Sequence, residues 1–467
     1  MVFSSLTFIV FFLPLVLGFY FLCPNPRHKN AVLLLFSLVF YAWGEPKWLF
    51  VMLLVVAVNY LSGILMLASQ SKTGRFVSMM FGVATGLGFL FYFKYCGFFV
   101  DNVTALFGEK SSFDAPVLPI GISFYTFQVL TYTIDVYKFK VRPQKNFFRL
   151  LMYVSFFPQL IAGPIVNYKD IEKQLRKRTV TLDGFYNGFV RFCYGLSKKI
   201  LLANSCGRVL ENLEKANVTS VGGAWLITVF FGLQLYFDFS GYSSMAIGLG
   251  KMFGFDFAEN FNYPYAADSV TDFWRRWHIS LGAFFREYVY IPLGGNRKGK
   301  ARTIVNLLIV WAFTGIWHGS AWNFLFWGLY YGILLILEKF VFAGVKKHIP
   351  KFVNIAITLF FVFIGWSIFY FTDTARLGTH LLRMFGRGTT GLFDRTSLYY
   401  VKRNIGLIVI SVIACIPFKK LTDRISADKK LKPVFEATKA VFATVLLIVS
   451  IAWLVSQSYN PFLYFRF

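Results

Sequence analysis

Residues 315–324, Gly315-Ile316-Trp317-His318-Gly319-Ser320-Ala321-Trp322-Asn323-Phe324, set one histidine between two strongly apolar arms. The first arm, Thr303 to Trp317, follows a basic stretch ending Arg297-Lys298-Gly299-Lys300-Ala301-Arg302, and the second runs on to Lys346-Lys347. Both outer ends are therefore cationic, as the flanks of membrane-embedded segments commonly are. At about 1.5 Å per residue, the roughly 16 steps from Arg302 to His318 cover about 24 Å, short of the roughly 30 Å hydrocarbon core. This puts His318 at membrane depth, past the midplane. An ionisable group there is expensive unless it faces a cavity or a partner, so it marks a functional site; the structural alternative is a core histidine bonded to a neighbouring helix.

Working outward, the composition fits only a polytopic helical membrane protein. Hydrophobic residues make up 57% of the 467 and aromatic residues 20%, and no strand alternation suggests a barrel. The net charge of +26 does not point to nucleic acid, because the Lys and Arg residues sit in short loops between apolar spans, where they orient the chain and face anionic lipid. Five cysteines are scattered singly, without metal-ligand spacing or a disulfide pattern, and no metal site is expected. The first apolar stretch, Val2 to Leu22, lacks a basic n-region and a small-residue cleavage site and reads as a retained span. Arg27, His28 and Lys29 after it place that loop inside and the amino terminus outside.

The expected architecture is all-α, with about eleven transmembrane helices plus re-entrant or horizontal pieces. One stretch breaks simple alternation. Leu150 to Val166 is flanked on both sides by basic runs, and Phe157-Pro158-Gln159-Leu160-Ile161-Ala162-Gly163-Pro164 carries two prolines and a glycine. A broken segment resolves the conflict, since irregular backbone at membrane depth is tolerated where it is buried in protein or lines a cavity; a plain helix kink is the alternative. The span Trp225 to Gly250 holds Asp238, a carboxylate that needs a partner: a His or Arg of the active region, or Ser240 and Tyr242 nearby. Arg275, His278, Gly282 and Arg286 recur at spacings of three and four, giving a polar stripe among aromatics on a helix near the inner surface or lining a pocket. No duplicated half or inverted repeat is visible, which weighs against common transporter architectures.

Three motifs together resemble the membrane-bound O-acyltransferase (MBOAT) family over nearly the whole chain, with greatest likeness to its bacterial alginate and peptidoglycan O-acetyltransferase branch. They are Trp274-Arg275-Arg276-Trp277-His278 with Pro292-Leu293-Gly294-Gly295-Asn296-Arg297, Trp317-His318-Gly319 with Trp322-Asn323, and Phe237-Asp238-Phe239-Ser240-Gly241-Tyr242. The early Ala42-Trp43-Gly44-Glu45-Pro46 fits the same branch. The resemblance implies one integral-membrane domain over 1–467, with a catalytic core at about 119–343, peripheral helices at 1–95 and further helices and an aromatic tail at 352–467, around a central tunnel. It also implies that His318 is the catalytic histidine and His278 the second conserved polar position.

Acyl transfer from a thioester to a hydroxyl needs a base, and a neutral imidazole near pH 7 suits that role. His318 is the expected base, with Asp238, Asn323, Arg275, Arg286, Trp317 and Trp322 supporting the acyl site. The rim Arg297, Lys298, Lys300 and Arg302 is expected to attract the phosphates of acetyl-CoA. The expected activity is O-acetylation of an extracytoplasmic polysaccharide by a multi-pass protein of the bacterial inner membrane, working with an extracytoplasmic SGNH-type partner. D-alanyl transfer to teichoic acid from a carrier protein is an alternative, and a proton-coupled transporter of an envelope precursor, using Asp238 and the histidines as a relay, is another of a different class. The tail Tyr459 to Phe467 reads either as an interfacial anchor or, by resemblance to the tyrosine-bearing carboxyl-terminal motif of bacterial polymer-acylating systems, as an acyl relay through Tyr464.

Overall fold

The computed structural model describes residues 1–467 except 110, 162, 458 and 464–467. It is all-helical, and among the described residues the one strand-like feature is a single antiparallel bridge between Phe261 and Trp277. The chain forms two compact units, residues 1–192 with 245–258 and residues 193–244 with 259–467.

The first unit holds α1 (Leu13–Leu22), α2 (Pro26–Ala42), α3 (Leu49–Ala68), α4 (Lys72–Leu90), α5 (Cys96–Leu106), α6 (Ile122–Tyr137), α7 (Phe147–Ser155), α8 (Phe157–Leu160), α9 (Tyr168–Arg176) and most of α10 (Leu182–Ser197). Its interior is aromatic. Phe8, Phe12 and Phe40 pack around Phe157 at centroid distances of 6.1, 5.4 and 5.6 Å. The stretch Leu150 to Val166 is broken, as its prolines lead one to expect: α7 ends at Phe156, whose ψ of 109° is not helical. The freed Phe157 N–H donates to Ser37 Oγ at 3.1 Å, so the break finds its hydrogen bond inside the protein.

The second unit contains α11 (Asn204–Lys215), most of α12 (Val221–Met252), α13 (Val270–Arg276), α14 (Ile279–Phe285), α15 (Gly299–His318), α16 (Trp322–Phe340), α17 (Lys351–Tyr370), α18 (Thr374–Met384), α19 (Arg395–Arg403), α20 (Ile405–Ala414), α21 (Lys419–Ala427) and α22 (Leu431–Ser456). A π-helical turn, Lys198–Ala203, joins α10 to α11.

Five helical segments among the described residues are long and apolar enough to cross a membrane, namely α3, Lys72–Leu106, α12, α17 and α22, and a sixth arises if α19 and α20, bent by 62°, act as one span. That is fewer than the eleven crossings expected. Several apolar stretches are shorter than a bilayer requires, such as the 16 residues of α6, and the 20- and 19-residue α15 and α16 are diluted by Asn, Thr, Trp and Tyr. The protein is thus multi-pass and helical, with many irregular elements packed inside it.

The hairpin of α15 and α16 depends on two glycines. A Cβ at Gly315 would lie 2.3 Å from Phe324 O, and one at Gly328 would lie 2.2 Å from Trp311 O. Neither backbone oxygen can move aside cheaply, so only glycine permits this approach, the small-residue packing expected between helices in lipid. Gly328→Ala should therefore overpack the hairpin by about 1–3 kcal/mol and lower the melting temperature of the detergent-solubilised protein. Gly406→Ala, where a Cβ meets nothing within 4 Å, should leave it unchanged or slightly higher.

Candidate active site

The motif Trp274-Arg275-Arg276-Trp277 is a short amphipathic element. Trp274 packs against Trp311, Trp327 and Tyr331 at 4.7, 5.4 and 4.8 Å, and Trp277 against Trp366 at 4.7 Å. Two tryptophans three apart thus bind α13 to the aromatic core of α15, α16 and α17, while Arg275 stays exposed and Arg276 pairs with Asp272 at 2.9 Å.

The polar stripe from Arg275 to Arg286 is not one continuous helix. Residues 260–262 run alongside 276–279: Asn262 N–H donates to Arg276 O at 2.9 Å and Ile279 N–H to Asn260 O at 3.0 Å. The helix breaks at Trp277, and His278 takes a left-handed conformation with φ 46°. Non-glycine residues adopt that region at a conformational cost and only when their surroundings fix them there. Asn260 does much of the fixing. Its Oδ1 accepts from Ser280 N–H at 3.2 Å and Ser280 Oγ at 2.9 Å, and lies 3.2 Å from His278 Nδ1. His278 is buried, with Phe239 of α12 edge-on at 4.7 Å.

His318 is the last residue of α15 and is also buried. Its ring meets Trp327 at 5.0 Å and Phe369 at 5.3 Å. Trp317 touches both histidines, with centroid distances of 4.9 Å to His318 and 5.9 Å to His278. The two histidines, 40 positions apart in sequence, thus flank a single indole.

A cavity of about 200 Å³ reaches His278 and is lined by Trp277, Arg286, Tyr290, Trp311 and Thr314 among others. It adjoins a larger one of about 760 Å³ lined by Arg275, Arg286, Lys339 and Thr271, and Trp274, Gly282, Arg286, Tyr290 and Leu307 border both. The mouth is cationic and the inner end aromatic. Arg275, Gly282 and Arg286 share this pocket in spite of the break between them.

Other residues expected at the site lie elsewhere. Asn323 is fully buried, but its Nδ2 donates to the carbonyls of Ile368 and Phe369 at 3.2 and 3.0 Å, tying the start of α16 to the end of α17. Trp322 is 47% exposed and stacks on Phe326. Asp238 pairs with Lys199 at 2.8 Å rather than with a histidine, arginine, Ser240 or Tyr242. Arg297, Lys298, Lys300 and Arg302 are exposed at the start of α15 and border neither cavity. Tyr464 lies outside the described residues. Among the described residues no group of three or more His, Cys, Asp or Glu is arranged to hold a metal.

Three residues escaped sequence reasoning. Lys339 joins the pocket mouth from α16. Lys199 is a buried cation at the end of an apolar stretch. His380, a third buried histidine, has Nε2 2.9 Å from Thr228 Oγ1 and its ring 4.5 Å from Phe371. The spacing of Leu377, His380 and Met384, all buried on α18, was the available signal for the last.

Residues 138–378 match the MBOAT, membrane-bound O-acyltransferase family. Over its full length the chain is 37% identical to the probable alginate O-acetylase AlgI of Pseudomonas putida, with all of that protein covered. It is 31% identical to the peptidoglycan O-acetyltransferase of Helicobacter pylori, covering 98% of it. Similarity to the teichoic acid D-alanyltransferase of Bacillus subtilis is 28% and spans 59% of this chain and 78% of that one. The chain belongs to the membrane-bound O-acyltransferase family.

Proposed function

We propose that this membrane O-acyltransferase takes an acetyl group from cytoplasmic acetyl-CoA and moves it outward for O-acetylation of an extracytoplasmic polysaccharide, with His318 as the base. The observation that carries the reading is the pair of buried histidines around Trp317, one of them at the inner end of a cleft whose mouth holds Arg275, Arg286 and Lys339. Three cations at a cleft mouth suit the phosphates of a nucleotide thioester. The small aromatic inner chamber suits a short acyl group. Full-length similarity to relatives named for O-acetylation, against partial similarity to D-alanyltransferases, favours acetyl over D-alanyl.

In this reading the imidazole of His318 removes the proton from the acceptor hydroxyl as that oxygen attacks the thioester carbonyl. The C–S bond breaks, and the departing coenzyme A thiolate takes up the proton from the imidazolium. His278, held by Asn260, polarises the carbonyl or orients the donor. The first acceptor is the Tyr464 hydroxyl. The resulting aryl ester has a leaving group of pKa about 10, so transfer onward to a sugar hydroxyl, through an SGNH-type partner outside the inner membrane, runs downhill. The amino terminus lies on the outer side.

Purified protein supplied with radiolabelled acetyl-CoA tests the donor side. Replacing Arg275, Arg286 and Lys339 together with Gln should raise the Michaelis constant for acetyl-CoA at least tenfold with a smaller change in turnover. Gln at Arg297, Lys298, Lys300 and Arg302 should raise it less, through a long-range attraction that disappears at high salt. An unchanged Michaelis constant in the first variant would contradict the cleft as donor site. For the relay, Tyr464→Phe should leave acetyl-CoA binding intact and abolish base-labile acetate on the envelope polysaccharide; normal acetate would rule it out.

A further inference from the structure

Beyond α22, Phe462 and Leu463 do not lie at the surface. Residues 459–463 run without α-helix into the interior of the second unit, where Phe462 and Leu463 are buried. Leu463 is part of the core cluster with Ala203, Cys206 and Phe237, and the Phe462 ring lies 4.6 Å from Tyr242.

Side chains of neighbouring elements hold the backbone of this strap. Asp238 Oδ2 accepts from Leu463 N–H at 2.9 Å, while Asp238 Oδ1 pairs with Lys199 Nζ at 2.8 Å. Lys199 also donates to Asn204 Oδ1 at 2.8 Å and to the carbonyl of Pro461. Asn204 Nδ2 in turn donates to Tyr459 O at 3.3 Å and Asn460 Oδ1 at 3.2 Å. Further up the strap, Arg208 donates to Gln457 Oε1.

Close approach of two backbones makes the pair possible. A Cβ on Gly241 would lie 2.8 Å from Gly195 O and 3.1 Å from Lys199 N, so α12 and the turn bearing Lys199 meet only because residue 241 is glycine. Burying two charges costs several kcal/mol per ion unless hydrogen bonds complete them. Here Asn204 supplies one completing group and the strap backbone supplies the others, at Pro461 O and Leu463 N–H, so the pair is a receptor for an extended chain. Phe239, the next residue of α12, packs edge-on against His278.

We infer that Lys199, Asp238 and Asn204 are positioning residues, which capture the backbone of residues 459–463, and that this capture is needed for the acyl-transfer reaction. The inference rests on the reading above, in which that chain end receives the acyl group. It assigns Asp238 to the strap and not to the chemistry of the thioester.

The test combines hydrogen exchange with acylation. Asp238→Asn and Lys199→Met should each raise amide exchange in the peptide spanning 457–463 at least tenfold and leave the α15 peptide, 299–318, unchanged. Base-labile acetate on the envelope polysaccharide should fall at least tenfold, while the Michaelis constant for acetyl-CoA stays within twofold. Lys199→Met/Asp238→Leu, which fills the interior without charge, guards against simple misfolding and should behave alike. Exchange that stays low in all three variants overturns the receptor, and loosened exchange with normal acetate overturns its role in the reaction. Tyr464→Phe reads the relay separately, since it should stop acylation without altering exchange at 457–463. If that variant is silent while Asp238→Asn still loosens the strap and stops acylation, the relay hydroxyl is wrong and the positioning role stands.

Discussion

Asn260 Oδ1 accepts two hydrogen bonds from Ser280 and meets the His278 ring, and with that it satisfies the constraint on which this structure depends. Inside an apolar body, every stretch of backbone that leaves a helix must find its partners within the protein. Three places among the described residues illustrate it. Ser37 Oγ accepts the Phe157 N–H freed at the break after α7, residues 260–262 exchange backbone hydrogen bonds with Arg276 and Ile279 on either side of Trp277, and Lys199, Asp238 and Asn204 hold residues 459–463. The second and third of these carry the features on which the proposed function rests. A left-handed His278 is reachable only through a broken helix, and a chain end can enter the interior only if polar side chains receive it.

What was legible in the sequence was what local spacing encodes. The apolar arms around His318 and the proline-rich break after Ser155 both act through neighbours within a few residues, so they could be read directly. The shared pocket of Arg275, Gly282 and Arg286 was also visible, although the stripe suggested an unbroken helix. The break is imposed by Asn260, 18 positions before His278, and no local pattern announces it.

The partners that the sequence did not reveal share one cause. Asp238 signalled correctly that a buried carboxylate needs a partner, but Lys199 stands 39 positions earlier and the strap 225 positions later. Asn323 was grouped with His318 because the two are near in sequence, yet a turn separates them and the amide points to the end of α17. Lys339 sits at the far end of α16, where it resembles any flanking lysine until the hairpin folds back beside α13 and α14.

His318 is the residue on which the proposed acyl transfer turns. Purified His318→Ala, with an unchanged melting temperature and bound to radiolabelled acetyl-CoA, should release coenzyme A at least a hundredfold more slowly than the parent, a loss in the range expected when a general base is removed. His278→Ala should lose less, since the role proposed for it is to orient and polarise. Acyl transfer by His318→Ala at the parent's rate would contradict the assignment of the base and, with it, the reading of the two histidines around Trp317 as the place where the acyl group moves.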